Sequence, residues 1–538
     1  MTLLIGLDIG TTAVKAGVFD AAGRQLAAVG CEYALLHPAP DRAELDPRTY
    51  WTAAVTAVRG ALDACGTGAG ARVAAIAVSS QGETVIPVDA RGEPVGPALV
   101  WLDNRAVDEA RELGSRFDPS TVYAVTGVPD MNPTWSACKI AWWRRHEPSV
   151  FAAAARFLWV SDFVLHRLTG RFVTDGGVAC TSLLVDIRPG GSGAWWAPML
   201  DAVGIDASRL PDLARPGDVV GGLSADAAEA LGLPVGVPVV AGGMDQGAGA
   251  VGVGNFGAGA DVISESTGGA LTIQASVLRA DGDPTRQTPV YIHSAPGAYL
   301  YCPVCNTGGM AFTWFRDQFG ADEVARAAAS AAAGTGGPSA YDLLTALAAT
   351  APAGSDGVIL LPHLAGAFSP EYVAEARGVL YGLTLHHTRA HVARAVLESV
   401  AFMLRRNLEL VALAGARGTE IRSHGGGARS AFWNQVKADV CGLPVVTMDG
   451  EDAAVRGDAM LAGVATGIHP DLVSAAAAMI APGRRFEPNP VNRAVYDDAY
   501  ATYVSLFDAL RPVFERGVRQ PVQHPDQHPV QHHEEDHP

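Results

Sequence analysis

The chain has 538 residues, 49% of them hydrophobic and 18% charged, which provides for several domains with ample cores and excludes a disordered or highly charged chain. Its 39 Lys and Arg against 56 Asp and Glu give a formal net charge of -17, which argues against general nucleic-acid or anionic-membrane binding, since both select positive charge. A small anionic ligand stays open to it, because that needs only a local site.

The chain opens Leu3-Leu-Ile-Gly-Leu-Asp8-Ile-Gly10-Thr11-Thr12-Ala-Val-Lys15. Residues 3–8 and 14–19 read as buried strands joined by a Gly-Thr-Thr turn, a hairpin rather than a strand-to-helix step. Ala-Ala-Gly23 then turns toward a strand at 25–29. Strand candidates at 72–79, 84–88 and 98–101 alternate with helical stretches at 49–64 and 106–116, the α/β pattern. Around 234–270 the opening returns: a strand at 235–241 leads through Gly242-Gly-Met-Asp245 into Gly-rich sequence. Asp261-Val-Ile-Ser-Glu-Ser266-Thr267-Gly268-Gly269 then reads strand, small polar turn, strand. Two related domains are expected, 1–254 and 255–516. After Thr388, apolar residues at Val392, Ala395, Val396, Val400, Met403, Leu404, Leu408 and Val411 predict a long helix ending before Gly415. Residues 517–538 form a His-, Pro- and Gln-rich tail with the composition of a disordered segment; its five histidines fit a solvated tail better than a metal site.

Seven irregularly spaced cysteines imply no disulfide framework, and Cys302-Pro-Val-Cys305 lacks a second ligand pair. No stretch approaches the ~20 apolar residues of a membrane span. Asp8 interrupts an N-terminus without a basic leader, so the cytoplasm is the expected compartment. Lysine occurs only at 15, 139 and 437 in an Arg-rich chain, which is read as codon bias.

Four segments could carry chemistry. The small-residue turn of Asp8-x-Gly10-Thr11-Thr12 exposes N–H groups and hydroxyls to a phosphate, and the carboxylate beside it suits a divalent cation; an ordinary Gly-Thr hairpin is the bland account. No Gly-x-x-x-x-Gly-Lys-Ser/Thr loop exists. Gly247-x-Gly249-x-x-Gly252 matches the dinucleotide fingerprint but sits mid-chain without an opening βαβ unit, so a dehydrogenase is disfavoured. Asp245, after a strand and a Gly-Gly pair, either takes a proton from an attacking alcohol or caps the next turn. Gly425-Gly-Gly-Ala-Arg-Ser-Ala-Phe-Trp-Asn-Gln435 offers a glycine slot for a planar ring with Asn434 on the following helix, or a plain strand-to-helix turn.

Together these segments resemble the FGGY family of carbohydrate kinases over nearly the whole chain to about residue 516. Asp8–Lys15 looks like its first phosphate motif, and Ala241–Gly252 like the segment with the catalytic Asp. Ser264-Glu-Ser-Thr-Gly-Gly269 is similar to its second phosphate motif, and Gly425–Gln435 to its adenosine motif. Gly378-Val-Leu-Tyr-Gly-Leu-Thr-Leu with His391-Val-Ala-Arg-Ala-Val-Leu-Glu398 matches its carboxyl-terminal signature. The resemblance implies an α/β fold of two actin-like, ribonuclease-H-like ATPase domains flanking a deep cleft. It implies Mg-ATP there, with Asp8 and Asp245 at Mg²⁺ and Asp245 as the proton acceptor. ATP contacts are then expected from Gly10, Thr11, Thr12 and Lys15 of the first turn, and from Ser266, Thr267 and Gly268 of the second. Gly309 joins them, with Gly426, Gly427, Ala428, Ser430 and Asn434 around the adenosine. Where the family usually reads Gly-Thr-Ser or Gly-Thr-Gly, this chain has Ser266-Thr267-Gly268; Thr267 is kept, and the departure falls on the backbone contact at 266.

The substrate side combines Gln81, Glu83, Trp101, Asp103, Trp135, Asp245 and Gln246. Xylulokinases usually carry Met-His after the Gln, and this chain does not. Glu83, Thr84, Trp101, Asp103 and Asp245-Gln246 fit the glycerol kinase pattern, but Gly82 replaces its Arg, and the 425–445 block is closer to xylulokinases. A carboxylate and an amide can fork across vicinal hydroxyls while an indole covers the C–H face of a polyol. An uncharged open-chain sugar is expected, foremost a ketopentose, with a polyol such as erythritol, a pentitol or glycerol as the alternative and gluconate disfavoured. An actin- or chaperone-like ATPase would share the phosphate turns without needing the substrate segments, and a silent sugar-binding regulator would need neither Asp8 nor Asp245. By the same resemblance the assembly is a homodimer.

Overall fold

Seven consecutive buried residues make the first strand, β1 (Leu3–Ile9). The computed structural model describes residues 2–516 apart from 189–192, 258–260, 282, 335, 449 and 451; the expected tail at 517–538 lies outside the described residues. β1 turns back antiparallel into β2 (Ala13–Asp20) and then β3 (Gln25–Glu32). β3 alternates half-buried with exposed positions, as an edge strand with one solvated face does. The helix α1 (Arg48–Ala64) buries Tyr50, Ala53, Ala54, Ala57, Val58, Ala61 and Leu62, a helical stripe, against one face of this sheet. β4 (Val73–Ser80) runs parallel to β1, followed much later by β5 (Val219–Gly222) and β6 (Pro238–Met244), giving the order β5-β6-β4-β1-β2-β3. Between β4 and β5 the chain buries Trp143, Phe157 and Trp159 in a core that continues into the second half, through Ile273 and Tyr301.

The second half repeats the plan. After the helix α2 (Asp245–Gly252) come β7 (Val262–Thr267), β8 (Leu271–Val277), β9 (Val290–Ile292), β10 (Tyr299–Tyr301) and β11 (Val304–Cys305). Then follow the long α3 (Arg389–Leu413), β12 (Glu420–His424), α4 (Ala431–Cys441), β13 (Val445–Met448), α5 (Ala453–Ala465) and β14 (Pro482–Phe486). The sheet order is β9-β10-β8-β7-β12-β13-β14, with β11 on β8. An antiparallel meander (β7, β8, β10) followed by two parallel strands (β12, β13) mirrors β1, β2, β3, β4 and β6 of the first sheet. This doubled arrangement is the actin-like, ribonuclease-H-like fold.

Element existence agrees with the sequence reading, and two details differ. The expected strand at 235–241 lies at 238–244, and the Gly-rich run after it, for which the sequence predicts no element, opens with the helix α2. Glycine disfavours helix by about 1 kcal/mol per residue, yet here packing requires it. A Cβ on Gly252 would lie 1.8 Å from the Ala453 carbonyl oxygen, and one on Gly457 of α5 would lie 1.9 Å from that of Ala248. The backbones of α2 and α5 therefore touch with no side chain between them. Gly6 of β1 plays the same part, since a Cβ there would lie 1.9 Å from the Val455 oxygen. In this way α5, from the second half, covers the open face of the first sheet, where Leu4, Phe19, Ala75, Ala77 and Val240 pack with Val455, Ala459, Met460 and Leu461. The three glycines of the fingerprint match thus lie on a packing helix.

All seven cysteines are free thiols, and burial raises the pKa of both Cys302 and Cys305. Among the described residues no helix is long and apolar enough to cross a membrane. Since the atoms facing Gly457 are backbone and cannot swing away, Gly457→Ala is expected to cost about 3 kcal/mol and to lower the thermal midpoint, whereas the same change at the exposed, unobstructed Gly66 perturbs only its own left-handed turn.

Candidate active site

Four carboxylates meet where the two halves join. Asp8, near the end of β1, lies beside Lys15 of β2 and Ser79 of β4 in the strand register. Asp458, on the buried face of α5, reaches the same point: Ser79 Oγ is 3.2 Å from Asp8 Oδ1 and 2.8 Å from Asp458 Oδ2. One hydroxyl proton cannot serve both carboxylates. The other oxygen of Asp458 is buried with no hydrogen-bond partner among the described residues. Burial foremost, then Asp452 and Asp245, push the Asp8 carboxyl well above its ordinary range, against Lys15 and Ser79; burial and Asp8 do the same to Asp458. Asp245 opens α2 at the end of β6 and accepts the Gln246 N–H at 2.6 Å; burial raises it to about 6. Asp452 caps α5 through the N–H groups of Ala454 and Val455 and pairs with Lys15 at 2.6 Å. A buried cluster short of protons, with an orphaned carboxylate oxygen, fits a hard divalent cation, which takes oxygen ligands.

The two turns expected to hold phosphate are braced from behind. In the first, Thr11 Oγ1 accepts from Trp101 Nε1 at 2.8 Å and donates to Gln81 Oε1 at 3.2 Å. Gln81 Nε2 and the Tyr33 hydroxyl both donate to the Gly10 carbonyl. Thr12 and Lys15 stay exposed. In the second, Lys437 Nζ, fully buried, donates to Glu265 at 2.7 Å and to Thr267 Oγ1 at 2.9 Å. Burial alone would raise Glu265; the adjacent Lys437 ammonium wins and holds it below the usual carboxylate range. Gly309 N–H donates to the Gly268 carbonyl at 2.8 Å, so the helix Gly309–Phe319 begins on this turn. Gly425 and Gly427 lie against Ser266 and Thr267, where a Cβ on Gly427 would stand 2.7 Å from that of Thr267. Ala428 and Ser430 follow, Ser430 capping α4 through the Trp433 N–H. Asn434 is fully buried, donating to the Ala428 carbonyl at 2.7 Å and accepting from Ser423, so it shapes the glycine turn.

On the substrate side Glu83 has a left-handed backbone (φ 54°) in a loop held by Thr181, whose hydroxyl accepts the Glu83 N–H at 3.0 Å. Burial raises its carboxyl, with Asp245 adding to the rise and Lys139 opposing it. Lys139 is fully buried, its ammonium donating to the Val100 carbonyl at 2.8 Å and to the Glu83 carbonyl at 3.4 Å and its pKa lowered by burial. Asp103 is also fully buried: Ala43 N–H, Arg105 N–H and the Arg105 guanidinium occupy both its oxygens. Trp135 lies in the core with its indole N–H on the Asp130 carbonyl. Gln246 Oε1 accepts from Thr272 and Gln274 of β8, tying α2 to the second sheet. Asp8 and Glu83 are thus each brought within electrostatic reach of Asp245, whereas Gln81, Asp103, Trp135 and Asn434 act inside the protein around them.

Sequence reasoning missed Asp452, Asp458, Glu265, Lys139 and Lys437. A signal existed: the chain keeps three lysines, and all three sit here, each beside a carboxylate. A carboxyl whose folded pKa lies above its unfolded ~3.9 weakens the fold once the pH exceeds that value and not below it. Asp458→Asn is therefore expected to raise the thermal midpoint of the nucleotide- and metal-free protein by about 3 °C at pH 8, with the gain vanishing toward pH 4.

Residues 3–252 match the N-terminal domain, and residues 272–466 the C-terminal domain, of the FGGY family of carbohydrate kinases. The chain is 30% identical to the autoinducer-2 kinase of Klebsiella pneumoniae over 94% of both chains. It is 29% identical to the xylulose kinase of Escherichia coli K12 over 95% of this chain and 100% of that one. The crystal structure of gluconate kinase from Lactobacillus acidophilus superposes with a TM-score of 0.85 at 27% identity, covering 96% of this chain and 99% of the other. With both family domains matched in order over a doubled actin-like fold, the chain belongs to the FGGY family of carbohydrate kinases, which use ATP to phosphorylate small-molecule substrates.

Proposed function

We propose that this kinase phosphorylates an uncharged, open-chain ketopentose, with Asp245 as the proton acceptor. The observation that carries the reading is the pair of carboxyl groups Asp245 and Glu83: burial foremost raises Glu83 to about 8, with Asp245 adding to the rise, while the nearby Lys139 ammonium donates to the backbone carbonyls of Val100 and Glu83. The ionised Asp245 disfavours an acidic sugar, and both groups suit hydroxyls, which donate to the Asp245 carboxylate and exchange hydrogen bonds with the protonated Glu83. The likeness to the xylulose kinase of Escherichia coli supports a ketopentose. Autoinducer-2 and gluconate, named for the other relatives, are the rivals to exclude.

The geometry supports a simple division of labour. Small-residue turns at Gly10–Thr12 and Thr267–Gly268 offer N–H and hydroxyl donors to the phosphates of ATP. Asp8 and Asp245, with Asp458 behind them, would hold Mg²⁺, which supplies charge neutralisation to the transferred phosphoryl group. As the substrate oxygen bonds to the γ-phosphorus, its proton passes to the Asp245 carboxylate, and the bond to the β–γ bridging oxygen breaks to leave ADP. Raised to about 6, Asp245 is a stronger base than an ordinary Asp and still ionised at neutral pH. By the family analogy the reading includes a cytoplasmic homodimer, which gel filtration and fractionation test.

An ADP-release assay with D- and L-xylulose, ribulose, erythritol, ribitol, the arabitols, glycerol, autoinducer-2 and gluconate tests the substrate. One ketopentose is expected to dominate, with Asp245→Ala reducing turnover by about 10²–10⁴-fold. A gluconate-specific or a substrate-independent activity would refute the reading. In the pH profile, kcat/KM is expected to fall about tenfold per unit below pH 6, because Asp245 is then protonated in the free enzyme.

A further inference from the structure

Away from the phosphate turns and the acid cluster, Asp356, His386 and His391 offer a carboxylate oxygen and two imidazole nitrogens that lie within 4.8 Å of one another. His391 Nε2 is 3.3 Å and His386 Nε2 is 3.7 Å from Asp356 Oδ2. Donors at about 2.0–2.1 Å from a tetrahedral zinc stand about 3.3 Å apart, so the two carboxylate–imidazole spacings are close to those of a coordination shell, with the two imidazole nitrogens within 4.8 Å of each other.

The carboxylate and the imidazoles are set by one helix. Gly354, Ser355 and Asp356 form three successive left-handed residues (φ 77°, 51° and 50°), a conformation that Ser and Asp adopt only under constraint. The constraint is Glu398 of α3, which accepts the Gly354 N–H at 3.0 Å and the Ser355 hydroxyl at 2.8 Å, and which is itself held by Arg394 at 2.7 Å. His391 stands in the first turn of the same helix, and His386 just before it. Thr384 Oγ1 is 2.8 Å from His386 Nδ1, and Thr388 Oγ1 is 3.0 Å from His391 Nδ1. With its ring proton on Nδ1, His386 donates to Thr384 Oγ1 and turns its Nε2 lone pair to Asp356, the outer arrangement typical of a metal-bound imidazole. His391 Nδ1 accepts the Thr388 N–H at 3.1 Å, so its Nε2 carries the ring proton toward Asp356, and an ion bound there displaces that proton to Nδ1, where Thr388 Oγ1 accepts it. His387 braces the turn differently: its Nδ1 accepts the Thr384 N–H at 2.8 Å, and its Nε2 donates to the Asp356 carbonyl at 3.2 Å.

We propose that Asp356, His386 and His391 bind a divalent first-row transition metal of the zinc class. Two imidazoles and one carboxylate suit such an ion, whereas Mg²⁺ selects oxygen donors. The side chains of His386 and Asp356 are 63% and 46% exposed, so the ion has an entry path and a position left for water or an external ligand. Bound there, it pins the 353–357 turn to the start of α3, a structural role separate from phosphoryl transfer.

The test uses the full-length protein freed of metal by chelation, then titrated with Zn²⁺ while the thermal midpoint is followed. A rise of several degrees is expected. It should disappear in His386→Ala and in Asp356→Asn (Asn tolerates the left-handed backbone), with affinity at least tenfold weaker and the metal-free midpoint little changed. It should persist when His524, His528, His532, His533 and His537 of the tail are all replaced by alanine. Anomalous diffraction at the zinc edge should place the ion between the three side chains. A rise that survives both site variants and is lost in the tail variant would overturn the proposal. So would an equal response to Mg²⁺, or no response to Zn²⁺ at all, which would leave the cluster a hydrogen-bonded carboxylate and imidazoles only.

Discussion

The contact on which this structure turns is the meeting of two helix backbones, α2 and α5, with nothing between them. A carbonyl of each helix occupies the place where the other would carry a Cβ. Because the gap is zero, the register of α5 on the first sheet has little freedom, and two carboxylates ride on that register. Asp452 at its head meets Lys15, and Asp458 one turn and a half later meets Ser79. The same crossing fixes the start of α2, which is Asp245. A site built from four strand and helix ends is thereby assembled by one packing decision.

The electrostatics follow a consistent division. Carboxylates crowd the join and are left short of protons, a state that costs folding free energy and leaves the site open to a cation. Lysines then settle individual members, Lys15 at Asp452 and Lys437 at Glu265, whereas the attraction of Lys139 only partly offsets the burial of Glu83. Arginine does the surface and structural pairing elsewhere, as in the forked grip on Asp103 by Arg105 and the buried pair of Arg394 and Glu398. The difference is physical. An ammonium is a compact point charge that can be buried between two oxygens, as Lys437 is between Glu265 and Thr267, whereas a guanidinium brings a planar fork with five donors to satisfy.

What the sequence made legible is what local pattern encodes. The hairpin at Asp8, its counterpart at Thr267, the long helix after Thr388 and the glycine turn at 425 all stand where alternation, helical period and small residues point. What it hid is long-range. Ser79 and Asp458 are 379 residues apart, and Lys437 and Glu265 are 172 apart, so no spacing rule links them. Roles assigned by residue type also shifted, because a polar side chain near a ligand site has two possible customers. Gln81 and Asn434 spend their amides on Gly10 and Ala428, holding the turns that a ligand would touch. Gly247, Gly249 and Gly252 match a dinucleotide fingerprint by pattern but lie on α2, where Gly252 meets α5 while Gly247 and Gly249 face Ser294 and His424.

The path of α5 also bears on how the chain is made. The first sheet is complete at Met244, but the helix that closes its second face begins at Ala453, a further 453 − 244 = 209 residues along. At about 5–20 residues per second of synthesis, that interval lasts about 10–40 seconds. Throughout it the nascent N-terminal half holds a finished sheet with Leu4, Phe19, Ala75, Ala77 and Val240 lacking their cover. The ribosome therefore displays an apolar face that only the last fifth of the chain can hide, and chaperone occupancy during translation should track that window.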